Sequence, residues 1–437
     1  MAEIRIKNLG PVSDLSIDIK QFNLFIGEQA SGKSTICKAV YFFRIIKDKL
    51  VEYLYNISLE GKDVQGFPKK FNNHLENIFI NLFGFIPDNL NMEYCYSDNI
   101  SISVSAKKSE KSGAVFNIAY SSEIKEIVSK LECSALEIYD SKKDVNSPIG
   151  FMGIERFRWH RKLEQEINNF FNDSMRTYYI PAGRGMLSLL SFNKTKLNYD
   201  SIDYINKKYI QFIESIQPFF IKGIKNSPKS VFGNKNKIDF NDIAKDIIKT
   251  LKGEYFSNDG EYLVIPETNE KIPINYISSG QQEILWVLNL LYFLLISGQK
   301  YFVIIEEPEA HLYPAFQKFV LDFIVKFMNI TGSTVIITTH SPYILTCSNN
   351  LLYAGYLKHK KISGWEDVTG KDNYILPNKM NSCKLIREEK ITVCKSLVDI
   401  TDKKNLEFKE IASELIDEIS DNINEIYTKL FYLEQGS

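Results

Sequence analysis

The chain has 437 residues, 44% of them hydrophobic and 13% aromatic, which suffices for a sizeable core in one large domain or roughly two to three modest ones. A formal net charge of −1 gives no overall attraction to nucleic acid, and six scattered cysteines (Cys37, Cys95, Cys133, Cys347, Cys383, Cys394) without a C-x-x-C pair argue against a zinc site or a disulfide framework and fit a reducing cytoplasm. The N-terminus lacks a signal-peptide apolar core, and the longest apolar run, Ile284 to Ile296, is too short to span a bilayer and is interrupted by Asn289, so a soluble cytoplasmic protein with no membrane partner is expected.

Residues 1–20 read as two strands around Gly10-Pro11, because Ile4 and Ile6, then Leu15, Ile17 and Ile19, alternate with polar neighbours. Phe22-Asn23-Leu24-Phe25-Ile26 reads as a buried strand. It enters Gly27-Glu28-Gln29-Ala30-Ser31-Gly32-Lys33-Ser34-Thr35, which fits G-x-x-x-x-G-K-[S/T], and the apolar run Ile36 to Phe43 then reads as a helix. Strand, glycine loop and helix form a phosphate cradle, in which backbone N–H groups and the helix N-terminus hold the anion. Lys33 is then placed between the β- and γ-phosphates of ATP, and the Ser34 hydroxyl is a ligand for Mg²⁺.

Residues 44–177 read as a long excursion. It is helical over about 36–86, then a hairpin (Ile100, Ile102, Val104 against Val115, Asn117, Ala119) with a charged tip at 107–113, then helical again at 122–131 and 152–176. The stretch Arg156-Phe157-Arg158-Trp159-His160-Arg161-Lys162 interleaves cations and aromatics, which suits either a nucleic-acid backbone or a solvated helix face. Tyr178 to Gly185 reads as a strand ending in a turn that exposes Arg184, either to a phosphate or to a surface carboxylate. Residues 188–252 are helical in pattern and basic. Lys222, Lys225, Lys229, Lys235 and Lys237 fall in one run without an acid, a loop that is either plainly solvated or in contact with nucleic acid or an acidic protein. A hairpin is expected over 254–275 around Asn258-Asp259-Gly260.

At Ile277-Ser278-Ser279-Gly280-Gln281-Gln282-Glu283 an S-x-x-Q capping box of Ser279 with Gln282 predicts the start of a buried helix running to about Ser297, with its N–H groups and positive dipole end offered to an anion. Tyr301-Phe302-Val303-Ile304-Ile305 reads as a buried strand ending in Glu306-Glu307. Two carboxylates there can share the work, Glu306 on the metal shell and Glu307 on the attacking water. Thr334 to Thr339 reads as another buried strand, with His340 at its end where an imidazole can contact a γ-phosphate, and further strands are expected at 350–356 and 373–376. The tail from about 405 to 434 carries one apolar stripe, Phe408, Ile411, Leu415, Ile419, Ile423, Ile426 and Leu430, on an acidic helix.

The order of phosphate loop, Ser-Gly-Gln turn, Glu-Glu strand end and strand-end His resembles the ABC-type ATPase heads of the SMC, RecF and OLD families. Together with Tyr179-Ile180-Pro181-Ala182, Glu306-Glu307-Pro308-Glu309-Ala310-His311-Leu312 and Thr339-His340-Ser341-Pro342, it is similar to the stand-alone AAA-family ATPases of bacterial anti-phage systems such as Septu and PARIS. The resemblance implies an α/β fold, an ABC-type head with a mixed β-sheet core and flanking helices, built from 1–43, 178–193 and 254–400. Helical and β-hairpin insertions would fall at 44–177 and 194–253, with an amphipathic helix at 401–437. It also implies a homo-oligomer in which Ser278, Ser279, Gly280 and Gln281 of one copy close over ATP and Mg²⁺ held by the loop of another. Glu306 is then the metal-side acid, Glu307 the base, Glu309 part of the inter-subunit loop and His340 the γ-phosphate switch. The partners it implies are a separate effector, a nuclease or toxin, and a nucleic acid or phage protein as trigger. Glu306 stands where the family has Asp, and no Gln-loop glutamine is evident, Arg184 lying in its neighbourhood. A RecF-like DNA maintenance ATPase is the alternative, and it predicts salt-sensitive, ATP-dependent DNA binding.

Overall fold

The structure, a computed structural model, describes residues 2–61, 67–109, 113–140, 149–185, 202–227, 239–388 and 391–396. The expected C-terminal helix, the hairpin tip at 110–112, and Lys229, Lys235 and Lys237 of the basic loop lie outside the described residues.

The chain opens with an antiparallel pair, Ala2–Leu9 (β1) and Val12–Ile19 (β2), and passes into Phe22–Gly27 (β3) and the long helix Lys33–Glu60 (α1). Next come Lys69–Phe83 (α2), then Asn91–Ser97 (β4), Ile100–Ser109 (β5) and Gly113–Tyr120 (β6), then Ser122–Asp140 (α3) and Ile149–Phe170 (α4). Arg176–Ile180 (β7) leads to Tyr204–Ile216 (α5) and Phe240–Leu251 (α6). Glu254–Phe256 (β8), Tyr262–Val264 (β9) and Lys271–Pro273 (β10) form a small antiparallel sheet. The rest is Ser279–Ser297 (α7), Tyr301–Glu306 (β11), Pro314–Thr331 (α8), Thr334–Thr339 (β12), Pro342–His359 (α9), Trp365–Thr369 (α10), Met380–Glu388 (β13) and Ile391–Ser396 (β14).

Eleven strands make one mixed sheet in the order β6-β5-β4-β1-β2-β14-β13-β3-β12-β11-β7. The run β13-β3-β12-β11-β7 is parallel, and β6-β5-β4-β1-β2 is antiparallel. Side chains of a strand alternate between faces, so Val303, Ile305, Val335 and Ile337 pack with the helices from α5 to α9, while Phe302, Ile304 and Ile336 pack with α1 to α4. Helices on both faces explain why the parallel strands are apolar throughout rather than alternating. The fold is therefore α/β with a mixed sheet and flanking helices, as expected. The boundary expected at residue 43 falls inside α1, and β4 to β6 of the 44–177 excursion extend the main sheet by pairing with β1.

The strand expected at 350–356 is instead part of α9, with Ser341 as N-cap accepting from Tyr343 N and Pro342 in the first turn. Leu351, Leu352 and Ala354 are apolar in an unbroken run, which period alone does not assign. The other expected strand, 373–376, is an extended coil laid on that helix, with Ile375 N donating to Leu351 O. Gly355 makes this possible, because a Cβ there would sit 1.9 Å from Ile375 O.

Candidate functional site

Four parallel strands deliver four chain segments to one edge of the sheet, their carboxyl ends, where open α/β sheets bind ligands. β3 delivers the Gly27–Thr35 loop, β11 delivers Glu306 and Glu307, β12 delivers His340 and β7 delivers Ala182 to Gly185. A cleft of about 600 Å³ opens there, lined by Gly10, Pro11, Gln29 to Thr35, Glu307 and His340. Another cleft of about 640 Å³ between α8, α9 and α10 shares no residue with it and is mostly apolar.

The phosphate loop is bent as its glycines require. Gly32 has φ 97° and caps α1, and Ala30 has φ 61°. A Cβ on Gly27 would lie 2.5 Å from Leu385 O and 2.7 Å from Ser31 Oγ, so only glycine fits between the loop and β13. Lys33 is buried. Its ammonium donates to Gly27 O and Glu28 O at 2.8 Å each and faces His340 Nδ1 at 3.5 Å. Burial lowers the Lys33 pKa, against the pull of Glu307, which raises it. The buried Ser31 hydroxyl has no partner, an unspent polar group at the mouth of the cradle that a phosphate oxygen suits.

Glu307 sits just past β11 with φ 43°, a left-handed bend that costs a non-glycine residue about 1–2 kcal/mol. The bend is held by hydrogen bonds: Glu307 N donates to Thr338 O at 2.9 Å and Thr338 Oγ1 at 3.2 Å, and Ala310 N donates to Glu307 O at 3.0 Å. It aims the carboxylate into the cleft, where Glu307 Oε1 lies 2.9 Å from His340 Nε2. A neutral imidazole protonated on Nε2 satisfies both neighbours, donating to Glu307 and accepting from Lys33. A half-exposed carboxylate beside a lysine and an imidazole can orient a water and take its proton.

Glu306 points the other way, to the α1 face of the sheet, as alternation from Phe302 and Ile304 demands. It is 7% exposed and outside the lining of the cleft. One oxygen accepts from Ala182 N at 3.2 Å, and the other is buried without a partner. Glu309 is also buried, beneath His340. It accepts from Thr339 Oγ1 and, at 3.1 Å, from His340 N, and burial raises its pKa.

The turn before α7 differs in detail from the sequence expectation. The N-cap is Ser278, not Ser279, and its box partner is Gln281, not Gln282. Ser278 Oγ accepts from Gln281 N, and Gln281 Oε1 accepts from Ser278 N at 3.0 Å. Gln282 Nε2 donates instead to Ile274 O at 3.1 Å. Ser278 and Ser279 are exposed, Gly280 and Gln281 half-buried, and none of them lines the cleft. Tyr276 and Tyr313 are exposed beside this turn, with Gly280 packed against the His311 carbonyl.

Arg184 corrects the expectation of an exposed arginine, since it is fully buried. Its guanidinium donates to Pro181 O at 2.8 Å, Glu306 O at 2.5 Å, Glu307 O at 2.9 Å and Glu283 O at 3.1 Å, and pairs with the Glu283 carboxylate at 3.5 Å. A strand end crowded with carbonyls needs donors, and the planar five-donor fork supplies them. No local signal marks this, because the partners lie about 100 and 120 residues away in sequence.

The protein-family profile described as AAA ATPase domain matches residues 1–345. Among curated proteins none matches the chain. Solved structures similar to it include an SMC head bound to the C-winged helix domain of ScpA, at 12% identity and TM-score 0.39, covering 92% of this chain and 98% of that one. The SMC head domain from Thermotoga maritima is similar at 11% identity and TM-score 0.36, covering 91% and 98%. A dimeric post-hydrolysis ATP-binding cassette bound to ADP and Pi is similar at 12% identity and TM-score 0.28, covering 78% and 89%.

Proposed function

The chain belongs to the AAA ATPase domain family, and on that premise we propose that it binds ATP on the Gly27–Thr35 loop and hydrolyses it in a site completed by the Ser278–Gln281 turn of a second copy. The observation that carries this reading is the convergence of Lys33, His340 and Glu307 from three strand ends, with His340 3.5 Å from the lysine and 2.9 Å from the carboxylate. Lys33 leaves the Gly27 and Glu28 carbonyls to hold the β- and γ-phosphates, the loop N–H groups cradle them, and His340 turns from Glu307 to the γ-phosphate. Glu307, freed of the imidazole, takes the proton of the attacking water. Ser34, which lines the cleft, would hold Mg²⁺, and the ion would supply charge neutralisation on the phosphoryl oxygens; Glu306, turned to the other face, could serve it only from outside the cleft. Among the described residues no cluster of three acidic, His or Cys side chains forms a metal cage, which suits an ion that takes most of its ligands from phosphate and water. The exposure of Ser278 and Ser279 outside the cleft of their own chain supports completion by a neighbour.

Complementation tests it. Lys33→Ala and Ser278→Arg should each abolish hydrolysis, Lys33→Ala through lost ATP binding. Mixed together they should recover turnover, because one of the two shared sites in a mixed dimer has both its lysine and its serine turn. No recovery on mixing, with both variants folded, would contradict the shared site.

The motif resemblance supports a finer reading, a sensor or regulator that controls a separate nuclease or toxin in anti-phage defence, triggered by nucleic acid or a phage protein. Its test is phage challenge of cells carrying this gene with its neighbours, with Lys33→Ala as control. Equal plaque counts for native and Lys33→Ala chains would rule it out.

A further inference from the structure

The bend that aims Glu307 and the Ser278–Gln281 turn are at least 26 residues apart in sequence, yet one buried cation joins the Glu307 main chain to Glu283, two residues past that turn. Arg184 is 0% exposed and spans from Glu306 and Glu307 of the β11 end to Glu283 in the early turns of α7. Glu283 answers with its own side chain, accepting from Gly185 N at 3.0 Å and pairing with the Arg184 guanidinium at 3.5 Å. Ser278 and Gln281, the capping pair, begin the same helix.

We propose that Arg184, locked by Glu283, is a positioning residue: it fixes the left-handed main chain of Glu307 and ties it to the Ser278–Gln281 turn, so that contact with a second copy reaches the carboxylate that faces Lys33. This rests on the proposed reading of Glu307 as base. Arg184 does not itself line the cleft and reaches it through the main-chain carbonyl of Glu307, so it acts through the backbone of its neighbours. Its donors converge on the carbonyls of Pro181, Glu306 and Glu307, which leaves that strand end one arrangement. Displacing a reacting group by about 1 Å can cost on the order of 100-fold in rate, and the hydrogen bonds that Arg184 donates to Pro181, Glu283, Glu306 and Glu307 go to carbonyls outside the Gly27–Thr35 loop that would hold the nucleotide. The inference therefore predicts a loss confined to turnover.

The test uses the full chain with ATP, reading turnover at saturation, ATP affinity by equilibrium titration and thermal melting. Arg184→Lys keeps the charge and loses the fork. Glu283→Gln keeps the acceptor for Gly185 N and loses the charge that locks the guanidinium. Both should bind ATP within about twofold of the native chain and turn it over at least about tenfold more slowly. If Arg184→Lys does not fold, Glu283→Gln decides alone. Turnover within about twofold of native in the folded variants overturns the inference, and so does a parallel loss of affinity, which a merely structural role would give. Glu307→Gln, run alongside, separates the two readings: native turnover there removes Glu307 as base, whereas an inactive Glu307→Gln with fast Arg184→Lys and Glu283→Gln removes only the role of Arg184.

Discussion

Glu309 holds the backbone under His340 and sits where a carboxylate is costly. Burial keeps its carboxyl above the ordinary value of 4.5, opposed by hydrogen bonds from Thr339 and from the His340 amide. A folded pKa above the unfolded one means that the folded chain keeps this proton where the unfolded chain has released it, so this group's contribution to stability falls as pH rises from 4.5 through the folded value. Glu309→Gln keeps an acceptor for both donors and removes the ionisation. Urea melts across a pH series should show the variant gaining stability relative to the native chain as pH rises through that window, and a pH-independent difference would contradict the assignment. At this scale the sequence was informative where chemistry is local: Lys33, Glu307 and His340 each follow an apolar strand, and their spacing to it fixed their place. Arg184 was misjudged because burial of an arginine depends on carbonyls contributed by Glu283, Glu306 and Glu307, and local sequence carries no trace of them.

One close approach of elements bears on the site, where β13 runs against the start of the phosphate loop. β13 pairs with β3 from Met380↔Phe22 to Leu385↔Gly27, and Gly27 has no room for a side chain. Gly27→Ala must push apart the Leu385 carbonyl or Ser31, an overpacking expected to cost about 1–3 kcal/mol and to weaken ATP binding by disturbing the cradle. Thermal melting and ATP titration check both, and native values for the pair would contradict the close approach. The motif-bearing elements β3, α1, α7, β11 and β12 were legible because buried parallel strands and capped helices write strong local patterns. β4 and β13 were not. Their apolar residues, such as Met92 and Tyr94 or Cys383 and Leu385, alternate with polar ones over short stretches among turns, and only pairing with distant β1 and β3 makes them strands.

At the scale of the molecule, the hairpin at 100–120 is no separate outgrowth, since β6-β5-β4 continues the sheet that carries the phosphate loop. Strand order of this kind depends on long-range pairing, and a single sequence records it poorly. What the sequence did convey is the placement of two separate segments on one chain, a loop at Gly27–Thr35 and a turn at Ser278–Gln281 that does not line the same cleft. On the proposed reading, such a chain closes its site by meeting another copy. The most direct measurement is the mass of Glu307→Gln in solution by light scattering, with and without ATP. The account predicts one chain without nucleotide, at least two with ATP, and return to one when Ser278→Arg is added. Full occupancy by ATP with no change in mass would contradict it.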